Sequence, residues 1–479
     1  MKSNDNRFED QLFPEAAKLW NLEKLYVDLA QQKPIGTGRK TKLTPVEKAI
    51  LRGLLCSYPP KKIAAALQWA LGTLCVELTK GLYRYVEALT NQESNTLKNW
   101  RDISNWLEAA GYKAPRHRHD WGDAPDNSVF YGRTDELDTL KQWIGKQHYR
   151  LVAILGMGGI GKTSLAAKLA QEIQDEFDCV IWRSLRYCPP VNQLLVNLIQ
   201  FLSNQQQCNL QEDTKVLTSR LIECLRQHRC LVVLDDAQML MRSCAHAGQY
   251  REGYEGYTEL LTEVGRERHQ SCLVVNSWEK PIQMELLEQE TSYVGSLKLK
   301  GLPPEEARKL LAANSLSGEE EEFEKLINLY RGNPLALNTV ITTIKDFFNY
   351  SVSEFLTWNT VIVAEPLQAK LIEQLNRLDD SEIEIVNYLA KTRIPVLREQ
   401  LRNNIHLGSD SKLINALNSL ERRSIIEKIT ERSQTFFTIP PVVMNVTQEN
   451  YNIELSCYTS SNFLSTPLRY LMANRLGAG

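Results

Sequence analysis

Eight consecutive residues, Gly156-Met157-Gly158-Gly159-Ile160-Gly161-Lys162-Thr163, carry the spacing G-x-x-x-x-G-K-[ST]. Glycines at these positions let successive backbone N–H groups turn inward around an anion, and a helix N-terminus behind them adds positive potential. Leu151 to Leu155, just before the motif, read as a short apolar strand. Leu165, Ala166, Ala167, Leu169 and Ala170, just after it, read as a helix. Strand, glycine loop and helix in that order are the context in which this pattern binds nucleotide phosphates. Lys162 is expected to reach the β- and γ-phosphates, Thr163 to ligate Mg²⁺, and Ser164 to complete the binding stretch.

A phosphate site of this kind also needs an acid at the end of a second buried strand, to hold the metal. Leu231-Val232-Val233-Leu234-Asp235-Asp236 supplies one. Asp235 is the expected Mg²⁺ partner, through water. Asp236 is the candidate catalytic group, placed to orient or deprotonate an attacking water.

The elements that must position these groups fit a chain of 479 residues, long enough for roughly three or four domains. With 43% hydrophobic and 24% charged residues, the composition is that of an ordinary globular protein. No run approaches the roughly 18 apolar residues of a membrane helix, and Met1-Lys2-Ser3-Asn4-Asp5 lacks the apolar core of a signal peptide. The expected location is therefore cytoplasmic, with no membrane partner. Ten cysteines without CxxC spacing, several inside apolar runs as Cys230 and Cys272 are, read as reduced and buried. Charge is uneven: from Lys33 to Arg118 there are 15 Lys and Arg against 6 Asp and Glu, a segment of +9 on a chain of net −2. A basic N-terminal module on an acidic body suggests separate tasks.

In the N-terminal third, Leu19, Leu22, Leu25, Tyr26 and Leu29 recur at helical spacing until Pro34-Ile35-Gly36-Thr37-Gly38. Thr44-Pro45-Val46-Glu47 is a capping box with proline at the first helical position. A short helix over 61–69, a turn at Gly72 and a longer helix over 73–89 complete a helix-turn-helix order. Apolar strand runs then alternate with helical stretches: Leu151–Leu155, Cys179–Leu185, Cys230–Asp235, Cys272–Asn276 and Tyr293–Leu299. Such alternation implies a parallel sheet covered on both faces. From Pro303 the pattern is helical, ending in a small hairpin over Ile425–Ile429 and Thr435–Ile439 with Glu431-Arg432-Ser433 at its turn. No fixed-period repeat is present.

With both phosphate-site motifs placed, the arrangement resembles the NB-ARC family of signal-transduction NTPases, the STAND-class group that includes plant resistance proteins and apoptotic adaptors. Further stretches carry the resemblance. Phe130-Tyr131-Gly132-Arg133-Thr134-Asp135-Glu136-Leu137 is similar to the family's opening segment, whose backbone cups the adenine, so Phe130, Gly132 and Arg133 join the expected nucleotide set. Phe177 to Arg183 is similar to its second strand. Gly332-Asn333-Pro334-Leu335-Ala336-Leu337 is similar to a helix start whose proline, here Pro334, packs on adenine. Ile372 to Met444 is similar to its winged helix. The resemblance implies a multidomain chain: an N-terminal helix (1–33), a helical helix-turn-helix-like module (34–115), a linker (116–127), an α/β P-loop NTPase domain with a parallel sheet (128–299), a helical ARC-type subdomain (300–365), a winged helix (366–446) and a tail (447–479). It implies ADP or ATP with Mg²⁺ as ligands.

Two departures stand out. Where the family ends its Cys272–Asn276 strand with an arginine that senses the γ-phosphate, this chain has Trp278, and Lys280 two residues on is the nearest cation. An indole cannot stabilise phosphoryl charge as a guanidinium does. Where the winged helix often carries a histidine toward the ADP phosphate, this chain has Ile439-Pro440-Pro441-Val442-Val443-Met444. Relatives with such an N-terminal module usually end in a repeat array; none is visible here, so the sensor is expected on a separate chain or lost by shortening. The function expected is an ADP/ATP-dependent switch, signalling or regulatory, with output through the N-terminal module and nucleotide-dependent self-association. The alternatives are a DNA-binding regulator gated by nucleotide and a slow ATPase. Glu77, Lys80, Arg84 and Glu87 are expected on the exposed face of the third helix, a mixed-sign face that favours a protein partner for residues 34–115 over DNA.

Overall fold

The computed structural model describes residues 12–33, 42–113, 118–126, 130–203, 211–431 and 434–449. The apolar runs of the middle third become strands: β1 (Arg118–Asp120), β2 (Leu151–Leu155), β3 (Cys179–Ser184), β4 (Cys230–Asp235), β5 (Cys272–Ser277) and β6 (Val294–Lys298). They form one sheet in the order β1-β3-β4-β5-β2-β6, with every pairing parallel. Alternation along each strand sends side chains to two cores. Leu151, Ala153 and Leu155 of β2 and Cys230, Val232 and Leu234 of β4 pack with residues of the helices Val191–Leu202, Thr214–Gln227 and Gly256–Arg266. Val152, Ile154, Leu231 and Val233 pack on the other face with the helix Lys162–Ile173. Coverage on both faces is why these strands are apolar throughout rather than alternating. The glycine loop follows β2 and Asp235 ends β4, so both lie at the carboxyl edge of the sheet, where open α/β sheets bind ligands.

One segment departs from expectation. Residues 116–127 read as a linker, yet Arg118, His119 and Asp120 pair with Cys179, Val180 and Ile181 as an edge strand. Arg118 Nη1 donates to the Phe201 carbonyl at 2.7 Å, which anchors that edge to the neighbouring helix. Three polar residues show no apolar period, so pattern reading misses them. Residues 116, 117 and 127 lie outside the described residues.

Beyond β6 the chain is helical: Pro304–Ala312, Glu320–Leu329, Pro334–Phe347, Val352–Thr357 and Glu365–Leu375. Asp380–Thr392, Arg398–Asn404 and Asp410–Arg422 follow, with β7 (Val396–Leu397), β8 (Glu427–Glu431) and β9 (Gln434–Thr438) forming a small antiparallel sheet in the order β7-β9-β8. The hairpin forms, with its first strand two residues later and its second one residue earlier than the sequence places them, so that Glu431 ends β8 rather than starting the turn; Arg432 and Ser433 lie outside the described residues. One apolar core runs from Leu302 to Val446 and takes in Met157 of the glycine loop.

The chain divides into two compact units, Met1–Arg116 and His117–Gly479. In the first, Thr44 caps the helix Pro45–Leu55: its Oγ1 accepts from Glu47 N at 3.2 Å, while Glu47 Oε2 accepts from Thr44 N at 2.6 Å. Pro60–Ala66 is the short helix, and 71–89 is one continuous helical run with a wider turn at Leu78–Leu82. Here a second expectation fails. Glu87 is not on the exposed face; it is 3% exposed. Its Oε1 accepts from Leu97 N at 2.8 Å and its Oε2 from Asn95 N at 3.0 Å, so the carboxylate organises the loop after the helix. The exposed face carries Glu77, Lys80 and Arg84. Pro34 to Gly38 and residues 450–479 of the expected tail lie outside the described residues. No helix among the described residues is long and apolar enough to cross a membrane.

Candidate functional site

The glycine loop turns because Gly159 and Gly161 take φ of 78° and 98°, a region that side chains resist. A Cβ on Gly159 would also meet the Leu335 side chain at 2.8 Å. Lys162 opens the following helix with its ammonium buried, donating to the carbonyls of Gly156 at 2.8 Å and Met157 at 3.1 Å. Burial pulls its pKa down to about 7, against the opposing pull of Asp235 and Asp236. Ile160 of the loop is buried, and Ser164 is half-buried in the first turn of the helix.

Asp235 is buried at the end of β4, and burial, followed by the charge of Asp236, pushes its carboxyl up. Two donors oppose that shift, both on Oδ1: Thr163 Oγ1 at 3.2 Å and Asn276 Nδ2 at 2.9 Å. A hydroxyl and a carboxylate this close are hard oxygen donors of the kind Mg²⁺ takes while keeping several waters. Asp236 sits in the left-handed region with φ of 59°, and its Oδ1 accepts from Gln238 Nε2 at 2.8 Å.

Gly132 has φ of 70°, and a Cβ on it would overlap the Glu306 carboxylate, which accepts from Arg133 N at 2.9 Å. Arg133 is 2% exposed. It pairs with Glu136 at 2.7 Å and donates to the carbonyls of Ile160 at 2.9 Å and Lys300 at 2.7 Å. This guanidinium braces the glycine loop, and with the Arg133 N–H held by Glu306 the backbone left for a ligand is that of 130–132. Phe130 packs on the core shared by β2 and the helix Lys162–Ile173.

Pro334 starts its helix with its Cγ 3.9 Å from where a Gly161 Cβ would lie. Asn333 caps that helix, accepting from Leu335 N and Ala336 N, both at 3.1 Å. It also donates to the Gly158 carbonyl at 3.3 Å, and Leu335 N donates to Gly159 O at 3.3 Å. A region 175 positions downstream is thereby hydrogen-bonded to the glycine loop.

Against known families, residues 133–296 match the NB-ARC domain. The chain carries an NB-ARC domain over those residues. An uncharacterized WD repeat-containing protein of Nostoc sp. is 39% identical over 378 residues, covering 76% of this chain and 30% of that protein. The ToMV resistance protein Tm-2(2) of Solanum lycopersicum is 30% identical over 113 residues, 23% of this chain and 13% of its own length. The chain thus spans less than a third of these relatives. Among solved structures, the Walker-type ATPase of Pyrococcus abyssi superposes with a TM-score of 0.48 at 16% identity, covering 69% of this chain and 99% of that one.

Within the matched domain, Trp278 follows β5 and is buried at 8% exposure. Lys280 does not stand in for an arginine toward the phosphates: its ammonium pairs with Glu288 at 2.5 Å. Glu279 between them is 1% exposed and pairs with Arg423 and, at 3.5 Å, with Arg377. Three residues at the site escape sequence reading: Asn276, Asn333 and Gln374. Asn276 and Asn333 sit inside quoted motifs, and their burial among polar partners is the only mark of a role. Gln374, 3% exposed, accepts from Gly158 N at 3.3 Å and donates to the Arg423 carbonyl at 2.7 Å. Nothing in its local sequence signals that.

Proposed function

We propose that this NB-ARC chain is an ADP/ATP-dependent molecular switch whose output passes through its N-terminal helical module. The observation that carries the reading is the direct bonding of Asn333 and Leu335 to Gly158 and Gly159. A region joined to the phosphate loop by hydrogen bonds cannot stay indifferent to what the loop holds, and differential contact with two ligands is what a switch requires. On this reading Lys162 contacts the phosphates and Phe130, Gly132, Arg133 and Pro334 enclose the base. Thr163 and Asp235 would hold Mg²⁺, which would neutralise phosphate oxygens, with Asp236 oriented toward the attacking water. Residues 300–365 and 366–446 act as the ARC-type subdomain and the winged helix, and 34–115 as the helix-turn-helix-like output module. The reading carries with it a cytoplasmic setting and self-association controlled by nucleotide.

A protein partner for the output module is supported by Leu71 and Val76, exposed at 45% and 50% beside Lys80 and Arg84. A DNA partner is the second reading, and the burial of Glu87 favours it by removing one acid from the exposed face. The test of the switch is to denature the purified protein and identify the released nucleotide by chromatography. Bound ADP supports it. Protein that releases no nucleotide and shows no calorimetric heat with ADP or ATP overturns it.

A further inference from the structure

The helix Glu365–Leu375 lies directly over the middle of the glycine loop. A Cβ on Gly158 would sit 3.5 Å from Lys370 Cβ and 3.6 Å from Gln374 Oε1, so two residues one turn apart on one helix face meet this glycine. The peptide joining Met157 to Gly158 is held from both sides. Its carbonyl accepts from Lys162 Nζ at 3.1 Å, and its N–H donates to Gln374 Oε1 at 3.3 Å. The ammonium that spans the β- and γ-phosphates in this motif therefore rests on the same peptide whose N–H the glutamine takes.

The other end of the Gln374 carboxamide is fixed as well. Its Nε2 donates to the Arg423 carbonyl at 2.7 Å. The Arg423 side chain, 2% exposed, bonds Glu279, Glu382 and the Ala245 carbonyl. Three residues after Gln374, Arg377 joins the same buried cluster through Glu279 and donates to the Met241 carbonyl at 2.8 Å. A line of buried polar groups thus runs from the phosphate loop through one side chain to the contact between residues 241–279 and the Asp410–Arg422 helix with Arg423 at its end. Charges buried this deeply tolerate few arrangements, so a displacement at one end is felt at the other.

We propose that Gln374 discriminates the terminal phosphate of the bound nucleotide: its carboxamide oxygen competes with a phosphate oxygen for the Gly158 N–H, and its displacement loosens the Arg423 cluster. Lys370, exposed on the same face above Gly158, is the cation that meets the extra phosphate charge. The proposal rests on the switch reading above and supplies what Trp278 and Lys280 do not, a group whose contacts differ between a diphosphate and a triphosphate.

The test uses the full chain with Mg²⁺ and two probes, ADP and the non-hydrolysable triphosphate AMP-PNP, by calorimetric titration. Gln374→Met keeps the length and removes the competing oxygen. It should raise the AMP-PNP affinity relative to ADP by about fivefold, what one hydrogen bond of ordinary net strength is worth. Gln374→Glu puts a negative charge against the phosphate and should move the ratio the other way. An unchanged ratio in both variants overturns the proposal. If neither variant folds, hydrogen exchange of the wild type decides. Residues 419–425 should exchange faster with AMP-PNP than with ADP, and equal exchange overturns the proposal. Wild-type protein that binds neither probe overturns the switch reading itself, a distinct result.

Discussion

Arg423 Nη1 donates to Glu279 Oε2 across 144 positions of chain, and both side chains are 2% exposed. The pair ties the end of β5 to the residue following the Asp410–Arg422 helix, and Arg377 adds a second guanidinium on the same carboxylate at 3.5 Å. Its energetics are asymmetric. The intact cluster returns little beyond its desolvation cost, whereas removing one partner strands the others without a counter-charge. Glu279→Ala is expected to destabilise the protein by about 3–5 kcal/mol in urea unfolding. The double replacement Glu279→Leu with Arg423→Met should cost at least as much, because it still strands Arg377 and the buried Glu382. A single-variant loss below about 1 kcal/mol contradicts the cluster's role.

Lys162 gives a prediction with a defined pH window. Its pKa is about 7 in the fold against 10.5 in an unstructured chain, because burial disfavours the ammonium. Between those values the unfolded chain binds the extra proton, so the stability of protein without added nucleotide should rise as pH rises from about 7. Phosphate charge beside Lys162 restores the proton. ADP binding at pH 8 should therefore take up protons, seen as a difference in calorimetric heat between buffers of different ionisation enthalpy. Lys162→Met should abolish the uptake and weaken ADP binding tenfold or more, since a charge-assisted contact is worth about 1.5–3 kcal/mol. Unchanged affinity would remove Lys162 from the phosphate site.

What the sequence made legible followed from periodicity and from motifs whose chemistry is local. β2 and β4 begin and end where their apolar runs do, and the Thr44 capping box forms with both of its bonds. Lys162, Thr163 and Asp235 come together because the strand-loop-helix context fixes them. The illegible parts depend on tertiary partners. β1 exists because Cys179–Ile181 offers it an edge, not because Arg118-His119-Asp120 favours a strand. Glu87 looks like a surface charge on a helical wheel and is buried because the loop at Asn95 and Leu97 folds back onto it. Gln374 belongs to the phosphate loop only through a contact 216 positions away.

Trp278 sets the expectation for turnover. It is buried directly after β5, and Lys280 is committed to Glu288, so neither residue offers a guanidinium-like charge to a transferring phosphoryl group. Phosphate release from ATP should run well below about 1 s⁻¹, under the ordinary enzyme range. Trp278→Arg should raise turnover or the preference for ATP. Wild-type turnover at about 1 s⁻¹ or above contradicts this.

Glu87 separates a structural charge from a functional one on the N-terminal module. Its two carboxylate oxygens accept from Asn95 N and Leu97 N at 3.0 and 2.8 Å, in a site 3% exposed. Glu87→Ala leaves two backbone donors without that partner in a buried setting, where each unpaired group costs about 1–3 kcal/mol. The variant should lower the melting temperature of the first unit and leave nucleic-acid binding unimproved, because the carboxylate does not face outward. Glu77, on the exposed face with Lys80 and Arg84, makes the opposite prediction. Glu77→Gln should leave stability within about 0.5 kcal/mol, as surface changes usually do. If DNA is the partner, it should tighten binding in an anisotropy titration, with a steeper dependence on salt. A protein partner predicts no sequence-selective binding by either variant at about 150 mM salt, where non-specific affinity is only about 10⁻⁴–10⁻⁶ M. Tighter DNA binding by Glu87→Ala, with stability unchanged, would contradict the buried placement of that residue.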